Sequence, residues 1–130
     1  MSDRISVDFL RGIVMRAPNA ITTKDFYVES WGLRILSESA DEVLFRGTGP
    51  EQFIYGLRKD DTFGIDYVNF GMTSPERVDR LHRRLVDGGA RVLGKPAPVT
   101  TPGGGYGFTV LDPDQRRGRI LASVAEHTDT

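Results

Sequence analysis

Apolar positions along the chain fall into short alternating runs broken by glycine, proline and aspartate, and twice into a helical stripe. The first run, Leu10 to Arg16, reads as a strand that Pro18 ends. Asn19 then offers an N-cap for a helix from Ala20 to Trp31, because its short side chain can accept from the orphan amides of a first turn. At 100° per residue, Ala20, Ile21, Tyr27, Val28 and Trp31 share one stripe that would pack on a sheet; Phe26 falls outside it and suits a loop or subunit contact. Gly32 fits a C′ position. Three short strands follow, at Leu33 to Glu38, Val43 to Arg46 and Gln52 to Arg58, separated by Ser39-Ala40-Asp41 and Gly47-Thr48-Gly49-Pro50.

After Lys59-Asp60-Asp61 the order restarts. A strand at Ile65 to Met72 leads to a helix from about Pro75 to Asp87, with Ser74 as N-cap and Pro75 at N1, where a missing amide costs nothing. Gly88-Gly89 ends it. Arg91 to Leu93 is a short strand, Pro96 to Gly105 a loop, and Phe108 to Leu111 and Ile120 to Val124 a hairpin whose turn begins at Asp112-Pro113-Asp114. Strand, helix and three strands thus occur twice. Trp31-Gly32-Leu33-Arg34-Ile35-Leu36 echoes Gly88-Gly89-Ala90-Arg91-Val92-Leu93, and Pro18 echoes Pro75, at one common offset of 57.

The pattern predicts an α+β fold: two βαβββ modules, about 10–61 and 62–125, forming an incomplete eight-stranded barrel or cup with one helix packed on each sheet. Residues 1–9 read as an N-terminal arm and 126–130 as a tail or interdomain linker. With 130 residues, 38% of them hydrophobic, one domain can bury roughly two-thirds of its unfolded surface without staples. Seventeen basic against eighteen acidic residues give a net charge of -1, so no long-range field calls for nucleic acid or an anionic membrane. There is no cysteine, hence no disulfide, thiolate nucleophile or sulfur ligand. No apolar run approaches a membrane span or a signal peptide, which makes the cytoplasm the default location.

Asp25-Phe26-Tyr27 with Trp31-Gly32-Leu33, Phe45-Arg46-Gly47-Thr48-Gly49-Pro50, and Tyr106-Gly107-Phe108 with Asp112-Pro113-Asp114 set on this order resemble the vicinal oxygen chelate superfamily, which includes glyoxalase I, bleomycin-resistance proteins and extradiol ring-cleaving dioxygenases. The resemblance, from about Leu10 to Ala125, is greatest to the N-terminal half of two-domain extradiol dioxygenases. It implies a half that has the fold without the iron, Fe(II) being held by two His and one Glu in a C-terminal domain. It also implies a homodimer or larger homo-oligomer.

Catalytic members of that superfamily need ligands on the first and last strands of each module. Here those positions carry Gly12, Tyr67 and Leu121, and Gln52 near the fourth strand is a poor ligand, so no metal site is expected. His82 lies on the apolar stripe of the second helix and reads as packed; His127 lies in the polar tail. No Ser/His/Asp or Cys/His arrangement can be assembled. Strand alternation places Val14 and Arg16 beside Gly12, Asn69 beside Tyr67, and Arg119 and Ser123 beside Leu121. A wall of Arg16, Tyr67, Asn69 and Arg119 would suit a small aromatic or phenolic anion. The competing reading pairs these arginines with nearby acids at a cup filled by its own side chains. Gly103-Gly104-Gly105 lacks the lysine and the following helix of a phosphate loop, and reads as a connection in preference to a lid.

Three functions remain open. The first is a metal-free N-terminal module of an extradiol-dioxygenase-like protein, inactive alone, shaping substrate access and subunit contact. The second is a stand-alone binder of the bleomycin-resistance type. The third, a metal-independent enzyme using Tyr67 as acid or base, lacks any partner that would shift a phenol from about 10.

Overall fold

The computed structural model describes residues 5–127. The elements run β1 (Phe9–Ala17), α1 (Lys24–Glu29), β2 (Arg34–Glu38), β3 (Glu42–Arg46), β4 (Tyr55–Lys59), β5 (Gly64–Gly71), α2 (Pro75–Asp87), β6 (Arg91–Pro98), β7 (Tyr106–Leu111) and β8 (Arg117–Ala122). This is the α+β order βαβββ, twice. The chain compacts into two units, Arg11–Val68 with 126–127, and Asn69–Ala125 with 5–10.

In the first unit the strand order is β2-β3-β4-β1, with β1 and β4 parallel and the other neighbours antiparallel. Alternation assigns two faces. Met15, Val43, Phe45 and Leu57 join Ala20, Ile21, Tyr27 and Val28 from the α1 side. Val14 and Leu44, each one residue out of phase, join Phe53, Leu36 and Tyr67 on the opposite face. Gly56 keeps that second face flat: a Cβ there would lie 2.8 Å from a Leu44 methyl and 2.9 Å from a Val14 methyl.

The first helix is shorter than its sequence stripe suggests. Thr22 and Thr23 turn their hydroxyls back onto the carbonyls of Asn19 and Ala20, so 18–23 forms turns and the helix starts at Lys24. Thr23 occupies the N-cap without a side-chain bond, and Asn19 does not cap. Ala20 and Ile21 still reach the core from the turn. Trp31, expected on the packed stripe, follows the helix and is 57% exposed; Phe26, expected off it, is 53% exposed. Gly32 takes φ +74, the left-handed conformation expected at a helix end.

β5 is divided between the units after Val68, and in the second unit its last residues, 69–71, are followed in the strand order by β8-β7-β6. Helix α2 has the bounds read from sequence. Ser74 Oγ accepts from the Arg77 amide at 3.2 Å, Pro75 opens the helix, and Gly88 and Gly89 close it with amide bonds to Arg84 and Val86. Val78 and Leu81 pack with Ile5, Met72, Phe108, Ile120 and Ala122, with Phe70 and Val92 at the margin. Segment 5–8 is tied down as well: Asp8 accepts from the Thr73 amide at 2.8 Å and forms a two-point ion pair with Arg77. Several strand boundaries differ from expectation, three of them informatively. β6 runs on through Pro96 to Pro98, tolerated because it ends the strand order and Gly94, φ +85, bulges it. β8 spans Arg117–Ala122 and stops two residues earlier than read. β4 begins at Tyr55, which leaves Gln52 in the segment before it.

Candidate functional site

The positions where the sequence resemblance places metal ligands are structurally committed here. Gly12 lies beside Ile54, whose amide group is so close that a Cβ on residue 12 would stand 2.6 Å from the Ile54 carbonyl oxygen and 2.9 Å from its carbon. The same approach supports the Ile13 amide bond to the Ile54 carbonyl, at 3.0 Å. Any side chain at this position, imidazole included, would collide with main chain. Leu121 pairs across the hairpin with Gly107 and is 4% exposed, its side chain lying where a Gly107 Cβ would be. Its neighbours Ile120 and Ala122 face the α2 core, so Leu121 faces the other way, as alternation requires. Tyr67 packs on the Val14–Leu44–Phe53 cluster. Among the described residues no group of three or more His, Cys, Asp or Glu could hold a metal ion.

Of the four residues read as a ligand wall, Arg16 and Tyr67 belong to the first unit, Asn69 and Arg119 to the second. Arg16 crosses the edge of Gly64, with its guanidinium 2.6 Å from where a Cβ would sit. Its charge helps hold the Asp60 carboxyl below the usual range, after the larger effect of the Thr62 amide and hydroxyl that bond to that carboxylate. Arg16 Nε is buried without a hydrogen-bond partner. Asn69 is 4% exposed and its Oδ1 also lacks a partner. Arg119 donates to Thr101 Oγ1 at 2.9 Å and so pins the glycine-rich loop. Bonds from Val99 to Gly105, Gly104 to Thr101 and Ala125 to Gly103 fasten the same loop. Its three glycines all have positive φ, which explains the Gly103-Gly104-Gly105 run as a backbone requirement.

His82 is a packed residue: its Nε2 lies 3.1 Å from the Gly94 carbonyl oxygen and its ring stands edge-on to Phe108. In the first unit, Tyr27, Trp31, Phe45 and Tyr55 form a continuous aromatic cluster that Phe26 extends outward. Burial and the Tyr27 hydroxyl push the Tyr55 phenol far above its ordinary range, so it stays protonated. Sequence periodicity found part of this cluster, but not Tyr55, whose partners depend on strand pairing. The hollow on α2 lined by Arg80, Arg83 and Arg84 was also missed. Its signal was the spacing 80, 83, 84, which places three guanidinium groups on one helix face.

Neither a family model nor a curated protein matches the chain. Solved structures do. The Mn(II)-bound glyoxalase from Novosphingobium aromaticivorans is 30% identical, with a TM-score of 0.89 over 95% of this chain and 42% of its own. A variant of homoprotocatechuate 2,3-dioxygenase from Brevibacterium fuscum is 18% identical, with a TM-score of 0.82 over 98% of this chain and 36% of its own. The chain has the vicinal oxygen chelate fold, which it shares with these enzymes. Homoprotocatechuate 2,3-dioxygenase from Arthrobacter globiformis, at 17% identity, a TM-score of 0.81 and 40% of its own length, shares the fold. This vicinal oxygen chelate chain spans less than half of each of those chains. At the positions where the resemblance places ligands, this chain's residues do not fit a metal ion: Gly12 has no side chain, Leu121 is an alkyl group, and Tyr67 is a phenol packed on the Val14–Leu44–Phe53 cluster.

Proposed function

We propose that the chain acts as a metal-free vicinal oxygen chelate module of a larger ring-cleaving or glyoxalase-like protein, inactive alone, shaping substrate access and subunit contact. The observation that carries this reading is the occupation of the ligand positions: Ile54 main chain against Gly12, and Leu121 buried over Gly107. The coverage of under half of each similar chain supports it. Phe26 and Trp31, exposed beside the Tyr27–Tyr55 cluster, supply the surface for subunit contact in a homodimer or larger assembly. Any Fe(II) would then be held by residues outside this chain.

A second reading, a small-molecule binder without chemistry, is favoured by a partnerless buried atom in each unit taken by itself: in the first, Arg16 Nε, whose N–H a phenolate or carboxylate could accept, and in the second, Asn69 Oδ1, to which a phenol hydroxyl could donate, with Arg119 as that unit's candidate cation. Against it, one face of the first unit is filled by Val14, Leu44, Phe53 and Tyr67. Calorimetry with phenol and benzoate separates the two. The module reading expects no heat of binding that changes on Arg119→Ala; saturable binding weakened by that substitution would establish the binder instead.

A further inference from the structure

Helix α2 presents an open hollow of about 760 Å³ between its C-terminal half and the segments around Ile5 and Ala90. Arg80, Arg83 and Arg84 stand along one side, three and four residues apart and therefore on one helix face. Ile5, which is buried, and Leu85 and Ala90, which are half-buried, form an apolar floor. Neither Arg83 nor Arg84 has an acidic partner among the described residues, although Asp87 lies on the same rim. Like charges at these spacings destabilise a helix. The negative end of the helix dipole offsets this for Arg84, in the last turn, and Glu76, Asp79 and Asp87, each four residues from Arg80 or Arg83, offset part of it there.

We propose that this hollow binds an organic anion, its carboxylate, sulfonate or phosphate head held on the flank of α2 by Arg80, Arg83 and Arg84 and its apolar body resting on Ile5, Leu85 and Ala90. Guanidinium groups suit such heads because they donate two parallel bonds at once. The volume lies within the range of sites that enclose small ligands, and a convergent basic edge on an apolar floor fixes the orientation of an amphiphilic anion. Asp87, which also lines the hollow, repels a second negative charge and so favours a single head over an extended polyanion.

The test uses the full chain with two probes, anilinonaphthalene sulfonate and inorganic sulfate. Saturable fluorescence enhancement by the first is expected, with amide shifts in a nitrogen-15 proton spectrum concentrated at residues 80–90. Arg83→Glu and Arg84→Glu should each weaken it by at least about tenfold, the scale of one lost charge-assisted bond. Arg58→Glu, the same charge change in the other unit, should leave it unaltered. Sulfate alone should bind more weakly than the amphiphile. Shifts centred on Phe26 and Trp31, an equal loss in Arg58→Glu, or sulfate binding as tightly as the amphiphile would each overturn the proposal.

Discussion

Gly12→Ala adds one methyl group at a place where neighbouring main chain leaves no room for it. The new carbon would meet the Ile54 carbonyl oxygen at 2.6 Å and the Ile54 carbonyl carbon and Cα at 2.9 Å, and all three are main-chain atoms that no rotamer change can move. Relief requires the β1–β4 pairing, which begins at Ile13 and Tyr55, to shift as a whole. Overpacking of this kind costs about 1–3 kcal/mol. For a chain of this length that corresponds to a fall of roughly 3–12 °C in the unfolding midpoint, at about 3–4 °C per kcal/mol. Circular dichroism during thermal and urea unfolding measures it, with Ser37→Ala on the exposed face of β2 as a control that should move the midpoint little. An unchanged midpoint for Gly12→Ala would show that Ile54 stands farther away. A histidine could then be accommodated at residue 12, and the case against a metal centre would lose its strongest support.

Two further outcomes follow from the same geometry. Leu121→Glu places a carboxylate at a position 4% exposed and opposite a glycine, so it should unfold at markedly lower denaturant, by several kcal/mol, and should recover toward neutral stability only as acid protonates it; urea titration at two pH values reads this. Asp8 is held below its ordinary value of 3.8, first by its hydrogen bonds from Arg77 and then by the Thr73 amide, against the opposing effect of burial. Its contribution to stability is therefore complete above that ordinary value and is lost as pH falls through the lower folded value, and Asp8→Asn should flatten the acid limb of the stability curve without changing its neutral-to-basic limb.

The order of elements was legible because each boundary carries its own chemistry. Ser74, Pro75 and the Gly88-Gly89 pair mark the ends of α2 without help from the rest of the chain. Asp112 writes the hairpin turn in the same way, accepting from the amides of Asp114 and Arg116. α1 was misread at its start because Ala20 and Ile21 satisfy the helical stripe from a turn, and hydroxyl back-bonding by Thr22 and Thr23 leaves no periodic trace. The continuation of β6 through two prolines was hidden for a different reason: it is permitted only by the end position of that strand, a property of topology.

Alternation holds for Val14 against Met15 and for Leu121 against Ile120 and Ala122, whereas Ser123, read as part of the last strand, lies beyond β8 with φ 59. What alternation could not supply was the neighbour. That Ile54 runs against Gly12, that Gly107 receives Leu121, and that Arg119 spends a bond on Thr101 depend on strand register, which the hydrophobic pattern specifies only to within two residues.

The most direct measurement is metal content together with oxygen uptake on the purified chain after incubation with Fe(II) or Mn(II) and desalting, with catechol as the ring substrate. The account predicts no stoichiometric metal and no oxygen consumption above that of free metal, because Gly12, Tyr67 and Leu121 offer no donor set. One firmly held ion per chain, lost on Tyr67→Phe or Gln52→Ala, would contradict it.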